Sequence, residues 1–407
     1  MLIAGEPSGD TLAAELVGAL RQKVIASSLD SSADAQPLRT ALAPRFFGAG
    51  GPRMAAAGVE LAFDLTQHSL IGIADVIRKF FQFRRMFNQL LRLAIEQQPD
   101  VIIGVDYGGF NSRFGKAIKD YVRRHRSEFT PWNPKIVQFV SSQVWASRPA
   151  RAYTLAEDYD LILSIFPFEK AWYAARVPEL WVEFVGHPMV ERMRLAGTRS
   201  DTSQTSAAAR RVGDEAERVP TVLLLPGSRA NEVRRHWPVV KGAFEMLRRE
   251  LPTLRGRIVL PNHALAQSVR AFGMPQGLEL QVGGLPEALA GADLALTKSG
   301  TITMECAFHG VPAVVFYITS WPEYLIAKQI LSVKYLAMPN LLADEEIYPE
   351  FVQGSATPES ISRAGLELLR DEARRRTLRT QLAKVITSLG GPGATNRAAD
   401  AIWSLLP

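Results

Sequence analysis

The sequence of 407 residues is too long for one ordinary hydrophobic core, so it predicts two domains. Hydrophobic residues make up 47% of the chain and charged residues 22%, which excludes a disordered protein, and the single cysteine excludes an internal disulfide. The net charge of +6 favours anionic ligands or an anionic membrane surface, and no recognisable module indicates nucleic-acid binding. There is neither a secretory signal pattern nor a run of 18 apolar residues, so we expect a cytoplasmic protein.

Apolar runs alternate with helical stretches through the first half of the chain, which is typical of a parallel sheet covered by helices on both faces. The predicted strands are residues 1–4, 45–49, 101–106, 136–141, 161–166 and 181–186. They predict a Rossmann-like domain over 1–195.

A polar stretch rich in Ala, Ser and Thr follows at 196–220 and is typical of a linker. A second alternating series comes after it, with predicted strands at 221–227, 256–262, 278–284, 293–300 and 311–317. This series predicts a second Rossmann-like domain over 221–365 and C-terminal helices over 366–407. Two such doubly wound α/β domains bind ligands in the cleft between the carboxyl ends of their strands.

The first strand ends in the turn GEPSGD, which begins at Gly5. Two glycines and a capping Ser8 or Asp10 make a loop that lets a ligand approach the backbone. An ordinary strand-to-helix turn is the alternative. The spacing G-x-x-x-G does not match the dinucleotide-binding fingerprint.

The stretch DLALTKSGTITMECAFHGVPAVVFY carries the strongest nucleotide signal. Its turn, Ser299, Gly300 and Thr301, offers N–H groups and hydroxyls to a diphosphate at the start of a helix. Glu305 lies one helical turn later, where its carboxylate can accept hydrogen bonds from both hydroxyls of a ribose. A solvated or capping glutamate is the alternative.

A second strand-to-helix turn, in LLLPGSRANEV, places Gly227, Ser228 and Arg229 together. The planar guanidinium of Arg229 can face the same diphosphate, and a surface arginine is the alternative.

A long amphipathic helix is predicted over about 75–98. Its stripe of core residues is Val76, Phe80, Phe83, Phe87, Leu90, Leu91 and Ala94. Further apolar residues outside that stripe, interleaved with five basic ones, are Ile77, Phe81, Met86 and Leu93. This pattern favours a membrane-facing surface, and a core helix with a solvated basic edge is the alternative.

Three blocks of the second half, LLLPGSRANEV, SGTITME with GVPAVV behind it, and MPNLLADEEIYPEFVQ, resemble the lipid-A-disaccharide synthase family. That family consists of inverting glycosyltransferases (family 19) with the two-domain GT-B architecture. Seven blocks of the first half agree in family order, namely GEPSGD, FGAGGPRM, SLIGIADV, PDVIIGVDYGGFN, SSQVWASR, FPFEKAWY and VGHPM. The resemblance extends from Gly5 to about Gln353.

The resemblance implies a reaction between UDP-2,3-diacylglucosamine and 2,3-diacylglucosamine 1-phosphate (lipid X), which gives a β-1,6-linked lipid A disaccharide 1-phosphate and UDP in lipopolysaccharide biosynthesis. It also implies a peripheral location on the inner face of the inner membrane and suggests a homodimer with exchanged C-terminal parts.

The expected general base is Asp106, which follows a strand and is flanked by glycines. Its position and the family's motif both point to it, and an aspartate that caps the next helix is the alternative. By resemblance, Asn111 orients neighbouring groups, Glu6 and Ser8 contact the acceptor, and Asn340 in the MPNLLA block binds substrate.

Departure of UDP is expected to be assisted by Arg229 and the turn at 299–301, with no metal and no other cofactor. A D-x-D sequence, Asp158-Tyr159-Asp160, does occur. We interpret it as a surface turn because the family uses no metal at this position.

Four positions depart from the family's pattern, namely Gly108, Gly109, Ser142 and Ser147. They leave open a divergent paralogue with an altered substrate. Two further functions stay open. One is a different UDP-sugar enzyme on the same scaffold, such as a 2-epimerase or a peptidoglycan GlcNAc transferase, and the second is a non-catalytic sugar-nucleotide-binding protein.

Overall fold

The computed structural model describes residues 1–29, 44–66, 73–127, 129, 131–194 and 219–406. The chain divides into two compact units: unit 1 is Met1–Glu191 with Leu389–Pro407, and unit 2 is Arg192–Ser388. The predicted linker at 196–220 lies outside the described residues except for its last two positions.

Unit 1 is built on a seven-stranded parallel sheet. Its strands are β1 (Leu2–Ala4), β2 (Phe47–Gly50), β3 (Glu60–Asp64), β4 (Val101–Val105), β5 (Lys135–Phe139), β6 (Leu161–Ser164) and β7 (Val182–Phe184). Their order is β3-β2-β1-β4-β5-β6-β7, and every pairing is parallel. The central strands are continuous apolar runs because helices cover both of their faces. β3 is absent from the sequence prediction because this edge strand is half-exposed and carries a charge at each end.

The helices of unit 1 connect these strands and cover the sheet. They are α1 (Pro7–Leu29), α2 (Pro52–Ala56), α3 (Ile73–Gln97), α4 (Gly108–His125), α5 (Val144–Ser147), α6 (Arg151–Asp158), α7 (Pro167–Ala174) and α8 (188–194).

Unit 2 contains a six-stranded parallel sheet. Its strands are β8 (Thr221–Leu225), β9 (Arg255–Leu260), β10 (Leu278–Val282), β11 (Leu294–Lys298), β12 (Ala313–Tyr317) and β13 (Glu350–Val352). Their order is β10-β9-β8-β11-β12-β13, all parallel. The sequence prediction misses β13 because this edge strand has only three residues, all half-buried.

The helices of unit 2 lie between these strands and after β13. They are α9 (Ala230–Glu250), α10 (His263–Ala271), α11 (Leu285–Ala290), α12 (Ile302–Phe308), α13 (Trp321–Ile330), α14 (Met338–Ala343), α15 (Pro358–Arg370) and α16 (Glu372–Ser388).

The last helix, α17 (Ala394–Trp403), returns to unit 1 and packs against α1. Lys23 Nζ lies 2.7 Å from Asp400 Oδ1, and Arg397 Nε donates to the carbonyl of Val185 at 2.8 Å. The sequence shows that this segment is helical, but it does not show which unit the helix covers.

Helix α3 has one buried face and one exposed face over the residues whose side chains the structure describes. Phe81, Arg85 and Arg92 are exposed, as the membrane interpretation requires. Met86, which we assigned to the same surface, is instead buried with Leu90 in the core. The assignment of Met86 is therefore wrong, because it lies four residues before Leu90 on the core stripe. No helix in the described segments is long and apolar enough to cross a bilayer.

The GEPSGD turn opens α1, and its last residue has a structural role. The buried carboxylate of Asp10 accepts hydrogen bonds from the N–H groups of Gly51 (2.7 Å), Arg53 (2.9 Å) and Met54 (3.1 Å). Gly51 precedes α2 and has no side chain with which to cap it. Asp10 therefore supplies the cap from a distant part of the chain and fixes the start of α1 against α2.

We expect Asp10→Ala to lower the free energy of unfolding by about 1–3 kcal/mol, because three buried N–H groups would lose a charged acceptor. The measurement is the urea midpoint followed by circular dichroism. Thr11→Ala is the matched control, since its exposed hydroxyl bonds only the Pro7 carbonyl and its loss should change stability by less than about 0.5 kcal/mol. Equal midpoints for the two variants would contradict this role of Asp10.

Candidate active site

Asp106 follows β4 in a left-handed backbone conformation, with φ of 52°, and Tyr107 follows it with φ of 47°. Two consecutive non-glycine residues in this region cost conformational energy and persist only where the surroundings hold them. Here the Asp106 N–H donates to the Phe139 carbonyl at 2.8 Å. The Asp106 carbonyl accepts from Asn111 Nδ2 at 2.7 Å and from Gln138 Nε2 at 2.9 Å. Asn111 and Gln138 therefore fix the turn that presents the Asp106 side chain.

The carboxyl group of Asp106 is partly desolvated. Burial raises its pKa, and a hydrogen bond from the Tyr107 N–H opposes that rise. A raised pKa brings a carboxylate closer to the value that suits a general base near neutral pH. The N-cap position of α4 is Tyr107, whose side chain makes no capping hydrogen bond.

The GEPSGD turn lies beside this carboxylate. A Cβ atom at Gly9 would lie 3.2 Å from the Val105 carbonyl oxygen and 3.5 Å from Asp106 Cβ. Burial raises the pKa of Tyr107, and the negative charge of Glu6 raises it further. Glu6 and Ser8 are exposed. The structure thus brings Glu6, Asp106 and the glycines of the turn to one edge of the sheet.

Two departures from the family's pattern are in contact. A Cβ atom at Gly108 would collide with Ser142 Oγ, so a larger residue at position 108 requires a change at 142. A Cβ atom at Gly109 would have no neighbour within 4 Å among the described residues. Ser147 ends the short helix α5.

The D-x-D pair is engaged within the fold. Asp160 Oδ2 accepts from Lys119 Nζ and from the Ile136 N–H, both at 2.8 Å, and Lys135 lies 3.6 Å from Oδ1. Asp158 is buried at the end of α6, and burial raises its pKa. The surface-turn interpretation is therefore wrong for Asp158, because it ends a helix whose inner side is packed.

Unit 2 contains a cavity of about 560 Å³ at the carboxyl edge of its sheet. Five of the residues predicted to bind the nucleotide line it, namely Gly227, Ser228, Arg229, Thr301 and Glu305. Parallel strands explain this convergence, because β8 and β11 are neighbours and end at the same edge.

Glu305 has the properties expected of a ribose ligand. Burial raises the pKa of its carboxyl group, and among the described residues no charge or hydrogen bond opposes that rise. The turn that leads into α12 contains Gly300, whose φ of +136° favours glycine. Glu305 lines the cavity, and no residue in the described part of the chain forms a hydrogen bond with its carboxylate.

Two charged residues of this cavity region, Lys298 and Glu232, were not assigned a role from the sequence. Lys298 Nζ lies 3.2 Å from Glu232 Oε1, and the side chains of both are largely buried. Glu232 Oε2 accepts from the Ser228 N–H at 3.1 Å, and Arg229 Nη1 lies 3.7 Å from Oε1. Burial opposes ionisation of Glu232, but Lys298, the Ser228 N–H and Arg229 together lower its pKa. Their sequence signal is position, since Lys298 directly precedes the turn at 299–301 and Glu232 lies three residues after Arg229.

Three of the predicted ligands do not line the cavity. Ser299 Oγ donates to the Leu336 carbonyl at 2.9 Å, and Gly300 shapes the turn. Asn340 is fully buried, and its amide donates to the Tyr348 carbonyl (2.7 Å) and to Glu350 Oε1 (2.8 Å). Its oxygen accepts from the N–H groups of residues 347 and 348. Asn340 therefore holds the segment after α13 together, and it has no capacity left for a ligand.

His236 bonds the backbone that follows β8 and the backbone that follows β12. Its Nδ1 lies 2.7 Å from the Pro226 carbonyl, and its Nε2 accepts from the Ile318 N–H at 3.1 Å. Nδ1 therefore donates to the Pro226 carbonyl, and Nε2 also lies 3.0 Å from the carbonyl oxygen of Ile318. Burial also lowers the pKa of His236.

The model of the family described as lipid-A-disaccharide synthetase matches residues 1–403. A lipid-A-disaccharide synthase of Myxococcus xanthus is 33% identical over 100% of this chain and 97% of its own length. Among solved structures, a putative UDP-N-acetylglucosamine 2-epimerase from Listeria monocytogenes has a TM-score of 0.57 at 14% identity, covering 99% of this chain and 95% of its own. The calicheamicin glycosyltransferase CalG4 has a TM-score of 0.56 at 16% identity, covering 100% and 96%.

The two structural similarities show the fold, which is the predicted GT-B architecture of two α/β units. The family match and the relative's identity extend over essentially the whole chain. The chain belongs to the lipid-A-disaccharide synthetase family, and it is a glycosyltransferase.

Proposed function

We propose that the protein transfers diacylglucosamine from UDP-2,3-diacylglucosamine to the 6-hydroxyl of 2,3-diacylglucosamine 1-phosphate, with inversion, and releases UDP. Family membership over residues 1–403 carries this proposal. A 2-epimerase shares the fold, but at 14% identity that similarity gives no argument for its chemistry.

The donor binds through unit 2. The cavity of about 560 Å³ suits a nucleoside diphosphate, and its lining provides a different partner for each part of that ligand. Glu305 accepts hydrogen bonds from the ribose hydroxyls. Ser228, Thr301 and the guanidinium of Arg229, whose side chain is 78% exposed, bind the diphosphate.

The acceptor binds through unit 1, where Asp106 takes the proton from its 6-hydroxyl as the new glycosidic bond forms. Asn111 acts as a positioning residue, because it bonds the Asp106 backbone and not the carboxylate. Glu6 and Ser8 are exposed in the turn whose Gly9 lies against Asp106, and they bind the acceptor.

Because both proposed substrates are lipids, we expect the protein to act at a membrane surface. In unit 1, Phe81 is 69% exposed on α3 beside Arg84 and Arg85. An exposed aromatic with cations around it suits an anionic lipid surface. We propose a peripheral location on the inner face of the inner membrane and the homodimer that the family resemblance suggests.

Asp106→Asn should lower turnover by roughly 100-fold or more, because an amide cannot accept the proton. UDP affinity, measured by calorimetry, should be unchanged. The assay is mass spectrometry of the disaccharide formed from synthetic donor and acceptor in detergent. Near-normal turnover would exclude Asp106 as the base, and a wild-type enzyme that forms no disaccharide would exclude the proposed reaction.

The pH profile gives an independent test of Asp106. The base works in its ionised form, so kcat/KM should fall as pH drops through the raised pKa of Asp106. The apparent pKa of the acidic limb should therefore lie above the usual pKa of an aspartate. The pH profile of the residual activity of Asp106→Asn should lack this limb. A wild-type limb at the ordinary aspartate value would contradict the assignment.

Glu305→Gln should weaken UDP binding by roughly 1–3 kcal/mol, because a charged acceptor for the ribose hydroxyls is lost. Calorimetry with UDP and with UMP should show the same loss, since both carry the ribose. Glu287→Gln is the control, because it lies on α11 of the same unit and does not line the cavity. Unchanged UDP affinity in a folded Glu305→Gln protein would contradict the ribose contact.

Arg229→Ala should lower kcat by roughly 100-fold or more, on the scale of losing one donor that stabilises developing charge. The diphosphate gains negative charge as the glycosidic bond breaks, so the effect on kcat should exceed the effect on UDP affinity. Arg229→Lys should recover only part of the rate, because an ammonium cannot bind two oxygens in parallel. EDTA should leave the wild-type rate unchanged, and restoration of a lost rate by magnesium would contradict the metal-free assignment.

A further inference from the structure

Helix α13 of unit 2 exposes an unusual concentration of large apolar side chains. Of the eleven such side chains that are exposed in the described residues, five lie within 321–331, namely Trp321, Leu325, Ile326, Ile330 and Leu331. No residue of α13 is buried. Only Tyr324 and Ala327, three residues apart on one side of the helix, are half-buried. The apolar residues at 321, 325, 326 and 330 lie on the opposite half.

The helix is nevertheless firmly built. Ser320 and Glu323 form a capping box at its start, and a proline occupies the first turn. Arg235, on α9, lies 3.3 Å from Glu323 Oε2 and 3.4 Å from Thr319 Oγ1. A helix that lacks a buried face would be marginal in water, yet this one has its N-terminus fixed by four separate contacts. The apolar half of α13 is therefore an ordered, exposed surface that is available to a binding partner.

The position of α13 links it to the nucleotide cavity. β12 pairs in parallel with β11, with Phe316 opposite Lys298, and α13 begins four residues after β12 ends. Both features therefore lie at the carboxyl edge of the same sheet. α9, whose Arg235 holds the start of α13, begins directly after Arg229.

We propose that α13 is a membrane-binding element, which docks unit 2 onto an anionic bilayer by its apolar half. The charges support a lipid partner: Glu323 is paired with Arg235, whereas Lys328 and Lys334 are exposed beside the apolar residues. Trp, Leu and Ile at the acyl boundary, with lysines reaching the headgroups, are the chemistry of an interfacial helix. The inference deepens the proposed function and rests on it for the lipid nature of the donor.

A second copy of the chain fits the surface less well. A helix of ten residues is about 15 Å long and about 10 Å wide, so its footprint is well below the ~800 Å² per partner of a stable interface. A bilayer has no such requirement, because the binding of an interfacial helix scales with the apolar area that the helix itself buries and with its attraction to anionic lipids. Docking α13 brings the edge that binds the nucleotide to the surface in which a diacylated donor lies.

The test uses the full chain and sucrose-loaded vesicles of phosphatidylcholine, with or without 30% phosphatidylglycerol (about one anionic lipid in three, enough for surface attraction). We expect L325S/I326S/I330S to lower partitioning onto the anionic vesicles by at least ~10-fold. Phe272→Ser, an exposed apolar residue elsewhere in unit 2, is the matched control and should bind as wild type does. K328Q/K334Q should remove most of the difference between the two vesicle compositions. Calorimetry with UDP confirms that each variant is folded.

Hydrogen exchange assigns the effect to the helix. Vesicles should slow exchange over 321–331 in the wild-type protein and not in the triple variant. Wild-type partitioning by the triple variant, or unchanged exchange in this segment, would overturn the proposal. A concentration-dependent dimer that the triple variant loses, measured by light scattering without lipid, would assign the surface to a second copy and would also overturn it.

The outcome is separable from that of the proposed function. Partitioning is measured without substrates, whereas transfer is measured on detergent-dispersed substrates, for which the triple variant should keep the wild-type rate. With substrates embedded in vesicles, its KM should rise by roughly 10-fold while kcat is kept. A wild-type protein that binds vesicles through α13 but forms no disaccharide in detergent would count against the proposed function alone.

Discussion

Parallel pairing of the strands is the constraint on which both sites depend. In a parallel sheet every strand ends at the same edge, so residues that are far apart in the chain meet there without a dedicated contact. In unit 2, residues 227–229 follow β8, and Thr301 and Glu305 follow β11. Because β8 and β11 are neighbours, these residues line one cavity. In unit 1 parallel pairing brings the turn after β1 beside Asp106, after β4.

The two edges use different means to hold their functional groups. In unit 1 the Asp106–Tyr107 turn is strained, and buried amides on α4 and β5 hold it by its backbone. Asn111 and Gln138 both donate to the Asp106 carbonyl, and Gln138 donates also to the Val140 carbonyl at 3.1 Å. They hold the Asp106 backbone in this way, so the carboxylate keeps its capacity to accept a proton. Burial then raises its pKa, which a hydrogen bond to the carboxylate from either amide would have counteracted.

The sequence predicted the parallel sheets, the two-unit organisation and the turns that hold the candidate site residues, because buried strands and glycine turns leave strong local signals. It missed the edge strands β3 and β13, since half-exposed strands show no continuous apolar run. It did not separate candidate ligands from supports. Ser299 shares the SGTITME block with Glu305, and Asn340 lies in the MPNLLA block, yet the side chains of Ser299 and Asn340 are consumed by hydrogen bonds within the fold. Hydrogen-bond saturation depends on tertiary partners, so spacing alone cannot reveal it.

Glu232 shows why the unit 2 site can be both stable and ready for an anion. Without a partner, Lys298 would be a largely buried cation, which costs several kcal/mol. Glu232 removes that cost and accepts the Ser228 N–H, which is a donor of the kind that a diphosphate oxygen accepts. The carboxylate thus keeps Lys298 ordered at the cavity, and it also lies 3.7 Å from the guanidinium of Arg229, whose side chain is 78% exposed. In the proposed binding mode the diphosphate adds negative charge to a site in which Lys298 is already placed, so the protein has one cation fewer to order at that step.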